Sequence, residues 1–172
     1  MNYASRLDSV IKLIGLAEFD ESGKLYASVA PMLIEKDRPL AGVDGVFNAI
    51  TVMGDSVGEL MFYGRGAGKL PTASAVVADM VDCVRHPDRS KQLKWEEASG
   101  SLVKDIAERK VSCFVRTTES LSRIREIFEV KTVVEGVVDG EIGFITDVMK
   151  ESEVGEAMAK LGNVVSFLRI LA

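Results

Sequence analysis

Three glycines at alternate positions, in Gly64-Arg65-Gly66-Ala67-Gly68, stand directly before a stretch patterned as a helix. Glycine admits positive φ and lets another group come close to the backbone. A helix starting there points unbonded N–H groups and a partial positive charge at whatever lies in front of it. Arg65 and Lys69 add positive charge. The combination suits an anion or a polar, carboxamide-like group. Single positions exclude two familiar phosphate motifs. A Walker loop needs glycine at 63 and Ser or Thr at 70, where Tyr63 and Leu70 stand. A dinucleotide fingerprint needs glycine at 69, where Lys69 stands. As a bare pattern the turn is most often a tight strand-to-helix connection.

Other chemistry is sparse. Cys83, Cys113 and the lone His86 do not make a metal set, so no metal ligand is expected. Two thiols without any sign of secretion read as unpaired cysteines. Asp44, Asp55 and Glu59 have no spacing that pairs them as acid and base, and no catalytic residue is assigned. The net charge of −5 in 172 residues argues against nucleic acid as a partner. No apolar run is long enough for a membrane span and no signal peptide opens the chain, so a cytoplasmic protein without a membrane partner is expected.

The elements that must hold the turn come from hydropathic period. Residues 8–17 and 25–34 read as a hairpin around Asp20-Glu21-Ser22-Gly23-Lys24, and Pro39 ends the second strand. Residues 46–53 and 57–63 read as two more strands around Gly54-Asp55-Ser56, which predicts a meander over the first sixty residues. From Pro71 to Arg85 the period changes. Val76, Met80 and Val84 recur at four, widened by Val77 and Val81, as in an amphipathic helix with Pro71 in its first turn. Residues 86–101 are polar and contain Pro87, Trp95 and Gly100, which reads as a linker. Beyond it the order is strand 111–116, helix 119–128, strands 130–138 and 142–148 around Asp139-Gly140-Glu141, helix 151–161 and strand 164–171. That βαββαβ order is the ferredoxin-like arrangement. The expected fold is α+β: a mixed or antiparallel sheet with packed helices, followed by a small ferredoxin-like domain. The division on this basis is 1–86, a linker at 87–110, and 111–172.

The runs Ile34-Glu35-Lys36-Asp37-Arg38-Pro39-Leu40-Ala41-Gly42-Val43, Val46-Phe47-Asn48-Ala49-Ile50, Gly54 to Gly68, and Leu70-Pro71-Thr72-Ala73-Ser74-Ala75-Val76-Val77-Ala78-Asp79 closely resemble homoserine dehydrogenase. The resemblance covers about residues 8 to 85 and rests on a long ordered run. It implies an enzyme that interconverts aspartate 4-semialdehyde and homoserine with NADP or NAD, on the route to threonine and methionine. It implies that residues 1–86 are the C-terminal part of a catalytic and dimerisation domain, and that the chain forms a homodimer. It places Gly68 against the cofactor, with Gly66, Ala67 and Thr72 as neighbours. Residues 111–172 resemble the family's ACT regulatory domain in element order, which implies an amino-acid effector. The stretch Thr117-Thr118-Glu119-Ser120-Leu121 departs from that domain's usual turn by lacking its glycine. The family's Rossmann domain and the segment bearing its catalytic lysine have no counterpart here. The chain is therefore expected to be a C-terminal portion, inactive alone, either a truncated product or one piece of a split enzyme whose partner is a separate Rossmann half; a non-catalytic regulatory or dimerisation module is the alternative.

Overall fold

The computed structural model describes residues 2–89, 95–97 and 100–171. It is α+β with a mixed sheet and divides into two compact units, Met1–Ala41 with Ala98–Ala172, and Gly42–Glu97.

The first unit opens with a short helix, α1 (Asn2–Arg6), followed by a hairpin of two eleven-residue strands, β1 (Ser9–Phe19) and β2 (Leu25–Glu35). Asp20 holds their turn. Its carboxylate accepts from the Ser22 N–H, the Ser22 hydroxyl and the Lys24 N–H, and Lys104 Nζ donates to it at 2.7 Å. The remaining strands are β5 (Lys110–Val111), β6 (Cys113–Thr117), β7 (Val130–Val134), β8 (Ile142–Thr146), β9 (Met149–Lys150) and β10 (Val164–Ile170). Helix α3 (Leu121–Ile127) follows β6, and α4 (Glu151–Leu161) precedes β10. Six strands form one sheet in the order β1-β2-β10-β6-β8-β7. All pairs are antiparallel except β10 with β2. On one face Val111, Cys113, Val115 and Phe144 pack with Ile124, Phe128, Val154, Ala157 and Leu161 of the helical segments. On the other, Tyr3 and Ala4 of α1 cover Leu33, Phe114 and Val134. Gly143 makes that docking possible, because a Cβ there would lie 2.7 Å from Tyr3 Cε1 and 2.9 Å from Phe114 Cε2.

The second unit holds the hairpin β3 (Phe47–Gly54) and β4 (Gly58–Arg65), paired without interruption from Phe47↔Arg65 to Gly54↔Gly58. Helix α2 (Lys69–Arg85) follows, and none of its seventeen residues is buried.

Several expectations change. The four N-terminal strands are not one meander: β1–β2 belongs to the six-stranded sheet and β3–β4 is a sheet of its own. The division at 86 and 110 is not where the compact units part. The cause is the parallel pairing of Met32 and Leu33 with Arg169 and Ile170, which joins the first hairpin to the last strand. Such a long-range pairing leaves no mark on local period. Nor is all of 87–110 a linker. Val103 bridges Leu25, Lys104 N donates to Leu25 O, and Arg109 bonds Glu18. The stretches 90–94 and 98–99 of that expected linker lie outside the described residues. The strands expected at 130–138 and 142–148 end earlier, at Val134 and Thr146, where Asp147 N turns to Glu129 O. The order β6-α3-β7-β8-β9-α4-β10 follows the expected one but for the added two-residue strand β9.

Candidate functional site

Strand β4 ends at Arg65, the chain crosses Gly66-Ala67-Gly68, and α2 begins at Lys69. Gly68 is the N-cap, with φ 125° and ψ 153° and no side chain to cap the helix. That pair of angles is one that residues with a Cβ adopt rarely and under strain. The first helical hydrogen bond runs from Thr72 N to Gly68 O at 3.0 Å. The N–H groups of Lys69 and Leu70 therefore have no acceptor within the helix, and Pro71 has no N–H at all. The helix begins at Lys69, two residues before the expected start at Pro71, and Pro71 lies in its first turn as expected.

The three glycines differ in what they do. A Cβ on Gly64 would meet open space. A Cβ on Gly66 would lie 2.6 Å from Asn48 Nδ2, 3.1 Å from its Cγ and 3.3 Å from its Cβ. A Cβ on Gly68 would be 3.4 Å from Pro71 Cδ, an ordinary contact, so backbone torsion and not space demands glycine there. Asn48 was not singled out from the sequence. The signal was present: a carboxamide in an apolar strand, opposite Gly64 in the ladder. Asn48 is exposed. On the other face of the hairpin the Arg65 guanidinium lies 5.2 Å from the Phe47 ring centre, and Phe47 stacks on Tyr63 at 4.8 Å. This stack fixes Arg65 beside the turn.

The structure brings Gly66, Ala67, Gly68 and Thr72 together at one exposed corner with Arg65 and Lys69. It does not bring Asp55 or Glu59 there, whereas Asp44 O accepts from Phe47 N, the residue that pairs with Arg65 at that end of the ladder. Gly58 faces Gly54 at the far end of the ladder, so Asp55 and Glu59 stand roughly 20 Å away along the strands. Among the described residues no group of His, Cys, Asp and Glu could hold a metal ion. Cys83 is exposed and Cys113 is buried, and no disulfide joins them. Burial pushes the Cys113 thiol up to about 11. No helix among the described residues is long and apolar enough to cross a membrane. The corner thus carries Arg65 and Lys69 with two N–H groups that have no acceptor within the helix.

Residues 1–81 match the family model for homoserine dehydrogenase. A homoserine dehydrogenase from Synechocystis is 53% identical over 85 residues, which is 48% of this chain and 20% of the relative. One from Pseudomonas aeruginosa is 53% identical over 85 residues, 49% of this chain and 19% of the relative. This chain is similar to the C-terminal part of homoserine dehydrogenases. Solved structures extend the likeness past the matched sequence. A homoserine dehydrogenase from Thiobacillus denitrificans superposes with a TM-score of 0.82 at 29% identity, over 98% of this chain and 44% of that one. The Staphylococcus aureus homoserine dehydrogenase does so with 0.72 at 30% identity, over 99% and 44%. The chain spans about a fifth of the curated relatives and less than half of the solved chains it matches. The glycine turn and most of α2 fall inside the family match.

Proposed function

We propose that the chain supplies the cofactor-facing corner of a homoserine dehydrogenase, the enzyme that interconverts L-homoserine and L-aspartate 4-semialdehyde in threonine and methionine biosynthesis. The bound cofactor, NADP or NAD, supplies the hydride acceptor or donor. The residues present fit an anionic or carboxamide part of it. Gly68 leaves the approach to the backbone clear, the Lys69 and Leu70 N–H groups point outward, and Arg65 and Lys69 supply positive charge. Gly68 makes the contact, with Gly66, Ala67 and Thr72 around it. Gly66 acts less directly than its neighbour, since the space a side chain would take there belongs to Asn48.

The observation that carries this reading is α2. Val76, Val77, Met80, Val81 and Val84 form an apolar stripe on a seventeen-residue helix that buries none of them. Isolated helices of this length are marginal in water and owe their stability to what packs on the apolar face. A Rossmann-type nucleotide-binding half packed on that stripe would cover it and bring a cofactor to the N-terminal end. The chain alone then transfers no hydride. Purified chain should give no homoserine-dependent NADPH formation, and co-expression with the nucleotide-binding half of a relative should give turnover. Oxidation of homoserine by the purified chain alone would overturn the reading.

A second reading concerns residues 111–172. The order β10-β6-β8-β7, with α3 and α4 packed on one face, supports an ACT-like, ferredoxin-like regulatory domain. Its effector would be an amino acid such as threonine, and Thr117 to Leu121 would form the loop nearest it. Calorimetry against threonine, methionine, isoleucine and lysine tests this, and no heat with any of them removes the effector. Both readings place a cytoplasmic homodimer with no nucleic-acid or membrane partner.

A further inference from the structure

Beside the glycine corner the β3–β4 ribbon has two unlike faces. Paired residues of an antiparallel ladder share a face, and alternate pairs share the same one. On one face Phe47, Tyr63 and Arg65 lie together, and the Phe47 ring holds the guanidinium there. On the other, Asn48 stands opposite Gly64, followed along that face by Ile50 with Phe62 and Val52 with Leu60. Gly64 leaves a slot in this face, because a Cβ at that position would meet open space. Asn48 walls one side of the slot. Its side chain packs against Gly66, where a Cβ would come within 2.6 Å of Nδ2 and 3.1 Å of Cγ. Ile50 and Phe62 wall the next side, and they are 66% and 63% exposed.

We propose that Asn48 reads the nicotinamide carboxamide of the dinucleotide, with the ring lying in the slot over Gly64 against Ile50 and Phe62. The chemistry of the slot selects this group. A primary carboxamide presents a carbonyl acceptor and an NH2 donor, and the Asn48 side chain offers the matching donor and acceptor. The two amides can therefore bond edge to edge. A phosphate finds no cation among the strand residues of this face, since Phe47 holds Arg65 on the other one. The apolar neighbours suit a flat ring and disfavour a desolvated phosphate. Packing against Gly66 keeps the Asn48 side chain from turning away, so the glycine at 66 acts through Asn48. The assignment rests on the cofactor reading above, and it names the part of the cofactor that meets the ribbon and the residue that recognises it.

The test uses the complex of this chain with the nucleotide-binding half of a relative, and it reads binding, not turnover. The dihydropyridine fluorescence of NADPH, or of NADH if that binds more tightly, gives the dissociation constant. The second probe is the same reduced dinucleotide with a 3-acetyl group in place of the carboxamide, which keeps the carbonyl and lacks the NH2 donor. The parent should bind the carboxamide form about tenfold more tightly than the acetyl form. Asn48→Ala should weaken the first and bring the two within about twofold of each other. Asn48→Asp keeps the shape against Gly66 and an acceptor for the NH2, so it should bind both less tightly and still prefer the carboxamide. Gly64→Val fills the slot at a residue whose φ is not positive, and should weaken both about tenfold. If Asn48→Ala discriminates as well as the parent, or Gly64→Val binds like it, the assignment is overturned and the cofactor reading stands. A parent complex that binds neither probe overturns both. In the chain alone, Gly66→Ala should speed amide exchange several-fold at the Phe47 and Arg65 end of the ladder, and added Asn48→Ala should reverse it. No reversal would show that Asn48 does not hold that place, and would overturn the assignment.

Discussion

Replacing Gly68 by alanine should loosen the start of α2, and the structure says by how much and why. The new Cβ would sit 3.4 Å from Pro71 Cδ, close to normal contact, so crowding is a minor cost. The torsions are the major one. At φ 125° and ψ 153° an alanine is strained by about 1–3 kcal/mol. The chain can relieve that only by rotating Gly68 out of the N-cap geometry, which breaks the bond from Thr72 N to Gly68 O. Amide exchange at Thr72 reads the opening directly. The strain corresponds to roughly 5- to 150-fold faster exchange in Gly68→Ala. Gly64→Ala is the internal control. Its Cβ enters open space and its φ is not positive, so Thr72 exchange should stay within about twofold of the parent. Pro71→Ala combined with Gly68→Ala should not restore protection, because proline is not the obstacle. If Gly68→Ala exchanges like Gly64→Ala, or if removing Pro71 rescues it, the torsional account of the turn is wrong.

Gly143→Ala would drive a methyl group between Tyr3 and Phe114, and should cost about 1–3 kcal/mol in urea unfolding with loss of near-ultraviolet signal from Tyr3; an unchanged midpoint would refute the docking of α1. Asp20, held by Lys104 and then by Ser22 and Lys24, has its carboxyl well below the usual carboxylate range. Its folded pKa is depressed, so its contribution is complete above about pH 4 and fades as pH falls through the folded value. Lys104 is raised, chiefly by Asp20, so its share is present below about pH 10 and fades above. Asp20→Asn should therefore unfold earlier than the parent at neutral pH and converge with it in strong acid; a constant difference down to pH 2 would refute the linkage. In native chain a thiol reagent should label Cys83 promptly and Cys113 only on unfolding, since burial holds Cys113 protonated to about pH 11; equal rates would show that β6 is not buried.

Much of the architecture was legible locally. The apolar runs at 8–17 and 25–34, the turn at 54–56 and the four-residue spacing from Val76 to Val84 each name their element, because local pattern is tied to one strand, turn or helix. The order of elements from β6 to β10 was legible for the same reason. The assignment of β1–β2 to the same sheet as β10 was not. It depends on two residue pairs, Met32 with Arg169 and Leu33 with Ile170, far apart in the chain and alike in hydropathy to many other pairs. Lys104 and Arg109 looked like linker charges for the same reason, since their partners Asp20 and Glu18 lie more than eighty residues away.

The sequence by itself determined that Gly64 to Gly68 is a glycine corner leading into a helix, that it is neither a Walker loop nor a dinucleotide fingerprint, and that its surroundings resemble homoserine dehydrogenase. It could not separate the glycines, which look alike in a string of letters. Tertiary structure decided that Gly64 answers to nothing nearby, that Gly66 yields its space to Asn48 from the neighbouring strand, and that Gly68 alone is required by its own backbone angles. The physical reason is that a glycine's function is set by where a Cβ would point and what already stands there, and both are properties of the folded chain.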